Sequence, residues 1–250
     1  MPETIEIEEF LKNSKHISIV DVRSPGEFEH GHIPGALNIP VFDNEERAQV
    51  GTIYKKKGKE LAIALGYEIV GPKLKSFADL ARTHSRDGKL LVHCWRGGMR
   101  SGKMAEFFEA GCVTTQILNG GYKTYRNHVL THFGDKLHIC LLGGETGSGK
   151  TEILKQLAAA GEQVIDLEEL ASHRGSTFGA IGMNPQPTVE TFENNLFSAI
   201  SKIDPKRKVW IEAESRSIGR VFIPAPLWEQ MEAAPFYRLQ VPFEVRVQRL

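Results

Sequence analysis

Cys94 closes an apolar run, Lys89-Leu90-Leu91-Val92-His93, and is followed by Trp95-Arg96-Gly97-Gly98-Met99-Arg100-Ser101. That order of residue types predicts a cysteine at the end of a strand, in a turn of backbone N–H groups, just ahead of a helix. Positive potential from the turn, the helix N-terminus, Arg96 and Arg100 lowers a thiol pKa, and the thiolate is the nucleophile. A lone cysteine is more often inert core filler, but a plain core strand needs neither two arginines nor two glycines. Such a thiolate can attack an electrophilic centre while the N–H groups hold an anion. Gly97 and Gly98 let the backbone fold closely around that anion, Arg96 and Arg100 suit a phosphate-like group, and Ser101 opens the helix.

A second constellation follows the apolar run Leu137-His138-Ile139-Cys140-Leu141-Leu142. Gly144-Glu145-Thr146-Gly147-Ser148-Gly149-Lys150-Thr151 matches GxxxxGK[ST], the P-loop. Backbone N–H groups around Gly147, Ser148 and Gly149 wrap a phosphate at a helix N-terminus, Lys150 adds a point charge, and Thr151 can hold Mg²⁺. The plain alternative is a glycine-rich turn without a ligand; the strand before it and the helical stretch 152–159 after it favour the phosphate loop. Two polar loops join it as candidate substrate loops: His173, Arg174, Gly175 and Ser176 after a second strand, and Glu212, Glu214 and Arg216 after a third. Glu212 could act through a metal-bound water. Loops are usually plain solvated surface, but α/β folds bind ligands beyond strand C-terminal ends.

These residues need strands alternating with helices, hence an α/β fold with parallel sheets. Strands are predicted at 17–22, 37–40, 89–93, 114–118, 136–142, 163–166, 208–212 and 236–241, with a turn into a short helix at 23–28 and helical stretches at 7–11, 60–65, 77–84, from 101, and after 121. Two domains are expected, 1–130 and 131–250, the second a P-loop NTPase-like α/β domain, joined by a short link at 127–135. The 250 residues carry 31 Lys+Arg against 31 Asp+Glu, so a nucleic-acid partner must be met by local patches such as Lys55-Lys56-Lys57-Gly58-Lys59 or Lys206-Arg207-Lys208. Charge runs are commonly just solvated. Three cysteines without CxxC spacing argue against a disulfide framework or a zinc site and for a reducing compartment. No secretory leader or membrane span is read, so a cytoplasmic, membrane-free protein is expected. The sequence stops early in a helix-like run, 244–250, and a further C-terminal helical segment is expected.

Asp21-Val22-Arg23-Ser24-Pro25-Gly26-Glu27-Phe28 and Gly31-His32-Ile33-Pro34-Gly35-Ala36 resemble the entry signature of rhodanese domains, and Leu118-Asn119-Gly120-Gly121-Tyr122 resembles their closing signature. The resemblance implies a sulfur-accepting role for Cys94. His93-Cys94, five residues, then Arg100 also fits the HCx5R signature of cysteine-dependent phosphatases, so the loop alone leaves phosphatase and chalcogen transfer open. A rhodanese-like domain followed by a P-loop, with His173-Arg174-Gly175-Ser176 and the 212–219 stretch in order, resembles the tRNA 2-selenouridine synthase family. That resemblance implies exchange of sulfur for selenium in wobble 2-thiouridine of tRNA. Selenophosphate and geranyl diphosphate are then co-substrates, through an S-geranylated uridine, with no tightly bound cofactor beyond Mg²⁺ and a nucleotide at the P-loop. An enzyme supplying selenophosphate is an implied partner. The readings that remain are a cysteine phosphatase or sulfurtransferase fused to a nucleotide-binding or kinase-like module, and a non-catalytic tRNA-binding module.

Overall fold

The computed structural model describes residues 2–175 and 179–248, so Ser176 lies outside the described residues. The chain divides into two compact units, 1–128 and 129–250.

The first unit runs β1 (Glu3–Ile5), α1 (Ile7–Asn13), β2 (Ser18–Asp21), α2 (Pro25–His30), β3 (Leu37–Asn38), α3 (Asn44–Lys57), α4 (Lys59–Val70), a short 3-10 turn (Gly71–Lys73), α5 (Leu74–His84), β4 (Lys89–His93), α6 (Met99–Ala110) and β5 (Thr114–Leu118); α7 (Gly121–His132) crosses the boundary between the units. The five strands form one parallel sheet in the order β1-β5-β4-β2-β3. β4 lies in its middle, which is why residues 90–93 are buried without alternation. Leu90, Val92 and Cys94 nonetheless point to one face, packing with Phe77, Met104 and Phe108. His93 points to the other, against Phe10 of α1 and Tyr122 of α7.

In this unit two elements were not anticipated. β1 adds an edge strand beside β5, and α3 begins three residues before Arg47 and carries the Lys55-Lys56-Lys57 run as its last turn. The α3 start has a local cause: the Asp43 carboxylate accepts the Glu46 N–H at 2.8 Å while the Glu46 carboxylate accepts the Asp43 N–H at 2.8 Å. Such a capping box contributes about 1 kcal/mol, and the terminal lysines favour the negative end of the helix dipole.

The second unit runs β6 (His138–Gly144), α8 (Lys150–Ala159), β7 (Gln163–Ile165), α9 (Leu167–Ala171), α10 (Val189–Ile200), β8 (Lys208–Glu212), an antiparallel pair β9 (Ser217–Ile218) and β10 (Val221–Phe222), α11 (Ala225–Glu232), β11 (Phe236–Leu239) and α12 (Phe243–Gln248). Four strands make a parallel sheet in the order β11-β6-β8-β7. The first strand in the sequence is thus interior, and the winding reverses across it, which opens a crevice at its C-terminal end. β7 stops one residue earlier than expected because Asp166 caps α9, accepting the Glu169 N–H at 2.8 Å. No described helix is long and apolar enough to cross a membrane.

Candidate functional site

In the first unit Cys94 is buried, 3% exposed, and its Sγ lies 3.3 Å from the Ser101 Oγ. The hydroxyl proton is given to the Gly98 carbonyl at 3.0 Å, so a neutral thiol donates to Oγ and a thiolate would receive the proton after a rotation. Burial pushes the thiol pKa up, but the Ser101 side chain, the backbone N–H groups of Arg96 and Ser101 and the charge of Arg100 outweigh it and hold the pKa below its ordinary value.

The closing signature holds this turn in place. The Tyr122 N–H donates to the Cys94 carbonyl at 2.8 Å and the Lys123 N–H to that of Trp95 at 3.0 Å. Gly121 has φ +62°, and a Cβ there would sit 2.4 Å from both the Cys94 O and the Gly97 N, so the approach requires glycine. The entry signature is structural too. Arg23 forms a buried ion pair with Asp21 (Nη2 to Oδ2, 2.6 Å), donates to the Gly31 carbonyl at 2.7 Å, and stacks on the Tyr122 ring, 3.8 Å from its centroid.

His93 does not meet the Cys94 side chain. It is fully buried, its ring nitrogens make no hydrogen bond among the described residues, and it lies 3.8 Å from Asp21 Oδ2. Burial depresses its pKa more than the Asp21 charge raises it. Arg96 and Gly98 are exposed. Arg100 is engaged by Glu27, with Nη1 and Nη2 donating to its carboxylate at 2.7 and 3.2 Å. Sequence reasoning missed Glu27 as a partner because it lies 73 residues away.

In the second unit β6 ends at Gly144, the P-loop then bends through Gly147 and Gly149, both with positive φ, and Gly149 caps α8 in the left-handed region. Lys150 Nζ lies 3.3 Å from Glu212 Oε1 and donates to the Gly144 carbonyl at 3.3 Å. Ser148 is buried and Thr151 is half-buried. The predicted loops converge in part. Gly175 (φ +66°) lies so close to Glu214 that a Cβ would meet Oε2 at 2.1 Å, and His173 is buried. Arg174 and Arg216 are exposed.

Glu168 was not anticipated. Carboxylate oxygens of Glu168, Glu212 and Glu214 lie within 4.8 Å of one another, and the buried Oε2 of Glu212 makes no hydrogen bond among the described residues. Burial raises all three carboxylate pKa values; for Glu168, burial and then the charges of Glu212 and Glu214 push it to about 7. An orphaned buried oxygen within an all-carboxylate set fits a hard divalent cation such as Mg²⁺. These three side chains would hold it, and the cation would supply charge neutralisation beside a bound phosphate.

The raised Glu168 pKa has a stability consequence. Between the ordinary 4.5 and about 7 the folded state keeps a proton that the unfolded state has lost. This contribution is therefore complete below the ordinary value and is lost as pH rises through about 7. Glu168→Gln is expected to stabilise the protein at about pH 8 by about 1–2 kcal/mol, discounted for partial exposure, with little effect at about pH 4. Urea midpoints at the two pH values test this, and equal shifts at both would refute it.

Residues 6–128 match the rhodanese-like domain family, and residues 137–250 match the tRNA 2-selenouridine synthase AAA domain. A protein of Bdellovibrio bacteriovorus named tRNA 2-selenouridine synthase is 40% identical over 251 residues, covering 95% of this chain and 65% of that one. A protein of the same name from Sulfurovum sp. is 35% identical over 258 residues, covering 99% of this chain and 68% of that one. This chain therefore spans roughly two thirds of the length of these relatives. The solved N-terminal domain of a putative ATP/GTP binding protein from Clostridium difficile 630 is 42% identical, covering 51% of this chain and 99% of that one at a TM-score of 0.47. With a thiol turn and a P-loop in succession, and with identity running through both units, the chain belongs to the tRNA 2-selenouridine synthase family.

Proposed function

We propose that this protein exchanges sulfur for selenium in wobble 2-thiouridine of tRNA, with selenophosphate as the selenium donor and geranyl diphosphate as an alkylating co-substrate. The observation that carries the reading is a thiol held below its ordinary pKa in an anion-cradling turn, in the same chain as a P-loop. The names of its relatives support it.

Cys94 is the nucleophile that releases the chalcogen. Its thiolate, held by the N–H groups of Arg96 and Ser101, attacks the phosphorus of selenophosphate. The P–Se bond breaks, selenide leaves with the electron pair, and water then cleaves the S–P bond to release phosphate and free the thiol. Arg96, exposed beside the turn, meets the selenophosphate anion; Arg100 reaches it by sharing its guanidinium with Glu27. Alkylation makes chemical sense. The thiocarbonyl sulfur attacks C1 of the geranyl group, the C–O bond breaks, and diphosphate leaves with the electron pair. A selenium nucleophile then adds at C2, and geranyl thiolate departs far more readily than sulfide would. Loop 144–151 holds a polyphosphate, either a nucleotide or the prenyl donor, with Lys150 balancing its charge.

Lys55, Lys56, Lys57 and Lys59 are all exposed and form the stronger candidate for tRNA phosphates. In the second cluster Arg207 is already spent on the Gly161 carbonyl at 2.7 Å. Nucleoside mass spectrometry of tRNA from cells lacking the gene tests the proposal: loss of 2-selenouridine, restored by the gene, is expected, and unchanged 2-selenouridine overturns it.

A further inference from the structure

An apolar groove of about 460 Å³ lies among α3, α4 and α6, reaching Met99 and Arg100 at the start of the helix that follows the Cys94 turn. Its deep wall is made by the buried residues Phe42, Ala62 and Val70, with Val50, Ile63 and Phe107 beside them. Tyr54, Tyr67 and Met99 are each more than half exposed at its edge, at 57%, 52% and 51%. Three lining residues are cationic, Lys59, Arg100 and Lys103, and none is acidic.

This composition selects an occupant. Apart from the tyrosine hydroxyls and the three cations, every lining residue is apolar, so a nucleobase or sugar placed here would lose hydrogen bonds to water and regain few. A hydrocarbon chain loses nothing. The volume lies within the roughly 300–1,000 Å³ of small-molecule sites, too small for a two-chain lipid. The cations ask for an anionic head. Arg100 and Lys103 are shared with Glu27 and Glu106, while Lys59 has no ion pair among the described residues. Three cations suit a polyanion better than a single carboxylate.

We propose that this groove binds a short prenyl diphosphate, its hydrocarbon against Phe42, Ala62, Ile63 and Phe107 and its diphosphate at Lys59, Arg100 and Lys103. The inference deepens the proposed function and rests on it for the identity of the donor. It assigns the prenyl donor to the first unit, beside the thiol turn, and leaves the P-loop to another polyphosphate.

The test is calorimetric titration of the full chain with the non-reactive S-thiolodiphosphate analogue of geranyl diphosphate, with decanoate and inorganic diphosphate as comparisons. The analogue is expected to bind more tightly than either. Ile63→Trp, which fills the groove, weakens it by about tenfold or more, the loss expected from displacing about two buried methylenes. Lys59→Glu, at an exposed position, weakens the analogue similarly and carries the test should Ile63→Trp fail to fold. Lys150→Met leaves analogue binding in place. Binding that survives both groove variants and disappears in Lys150→Met overturns the groove assignment while the use of a prenyl donor stands. No binding by the wild-type chain overturns both, and decanoate binding as tight as the analogue overturns the prenyl assignment in favour of an acyl anion.

Discussion

Replacing Cys94 with serine is expected to lower selenium incorporation into 2-thiouridine tRNA by about a thousandfold or more while the protein stays folded. The two side chains differ by one atom, so the packing against Val92, Met104 and Phe108 is nearly kept. The hydroxyl can still pair with Ser101, which limits the cost of placing it in the apolar cluster. What is lost is the anion. The same turn that holds a thiol below its ordinary pKa cannot bring an alcohol within reach of ionisation at neutral pH, so the nucleophile disappears without a change of shape. Single-turnover incorporation with selenophosphate measures this. Cys112→Ser is the control, since Cys112 is exposed, at φ +64° just after α6. A Cys94→Ser rate close to wild type would remove Cys94 from the chemistry.

The thiol turn and the phosphate loop were legible because both are local. Their residues are contiguous, and the elements around them follow from an apolar run on one side and a helix-compatible run on the other. β8 was read with its observed bounds, Lys208–Glu212, for the same reason. What escaped the sequence was set by partners far along the chain. β1 is three residues with an exposed Glu3 and Thr4, and it becomes a strand only because β5 offers an edge, with Glu3 opposite Gln116. α3 buries no residue, so it has no apolar stripe to read; its signal was the Asp43–Glu46 capping box. Likewise Thr188, accepting the Thr191 N–H at 3.0 Å, marks the start of α10, which was not anticipated. Glu168 looks like one more solvated helix carboxylate. Only the adjacency of β7 and β8 brings it against Glu212 and Glu214. Arg100 looked free to face a donor, and nothing near it in sequence announced Glu27.

Lys150→Met is expected to weaken binding of a nucleoside triphosphate at the P-loop by about a hundredfold, close to 3 kcal/mol, the upper range for a charge-assisted hydrogen bond. The same substitution should change the response to Mg²⁺, because Lys150 has a second role. It is the cation whose charge lowers the raised pKa values of Glu168, Glu212 and Glu214. Without it the three carboxylates face one another uncompensated, and their folded-state pKa values rise further above the ordinary value. Their protonated forms are then favoured in the folded state, so the variant's stability falls more steeply than that of the wild type as pH rises above neutrality. A divalent cation among the three carboxylates replaces the missing charge. Thermal melts at about pH 8 should therefore show a larger Mg²⁺-induced rise in Tm for Lys150→Met than for wild type, by the linkage between binding and folding. Mg²⁺ should not restore the polyphosphate affinity, since the ammonium that meets the phosphate is gone. Equal Mg²⁺ responses in the two proteins would separate the carboxylate cluster from any cation and leave Lys150 with the phosphate alone.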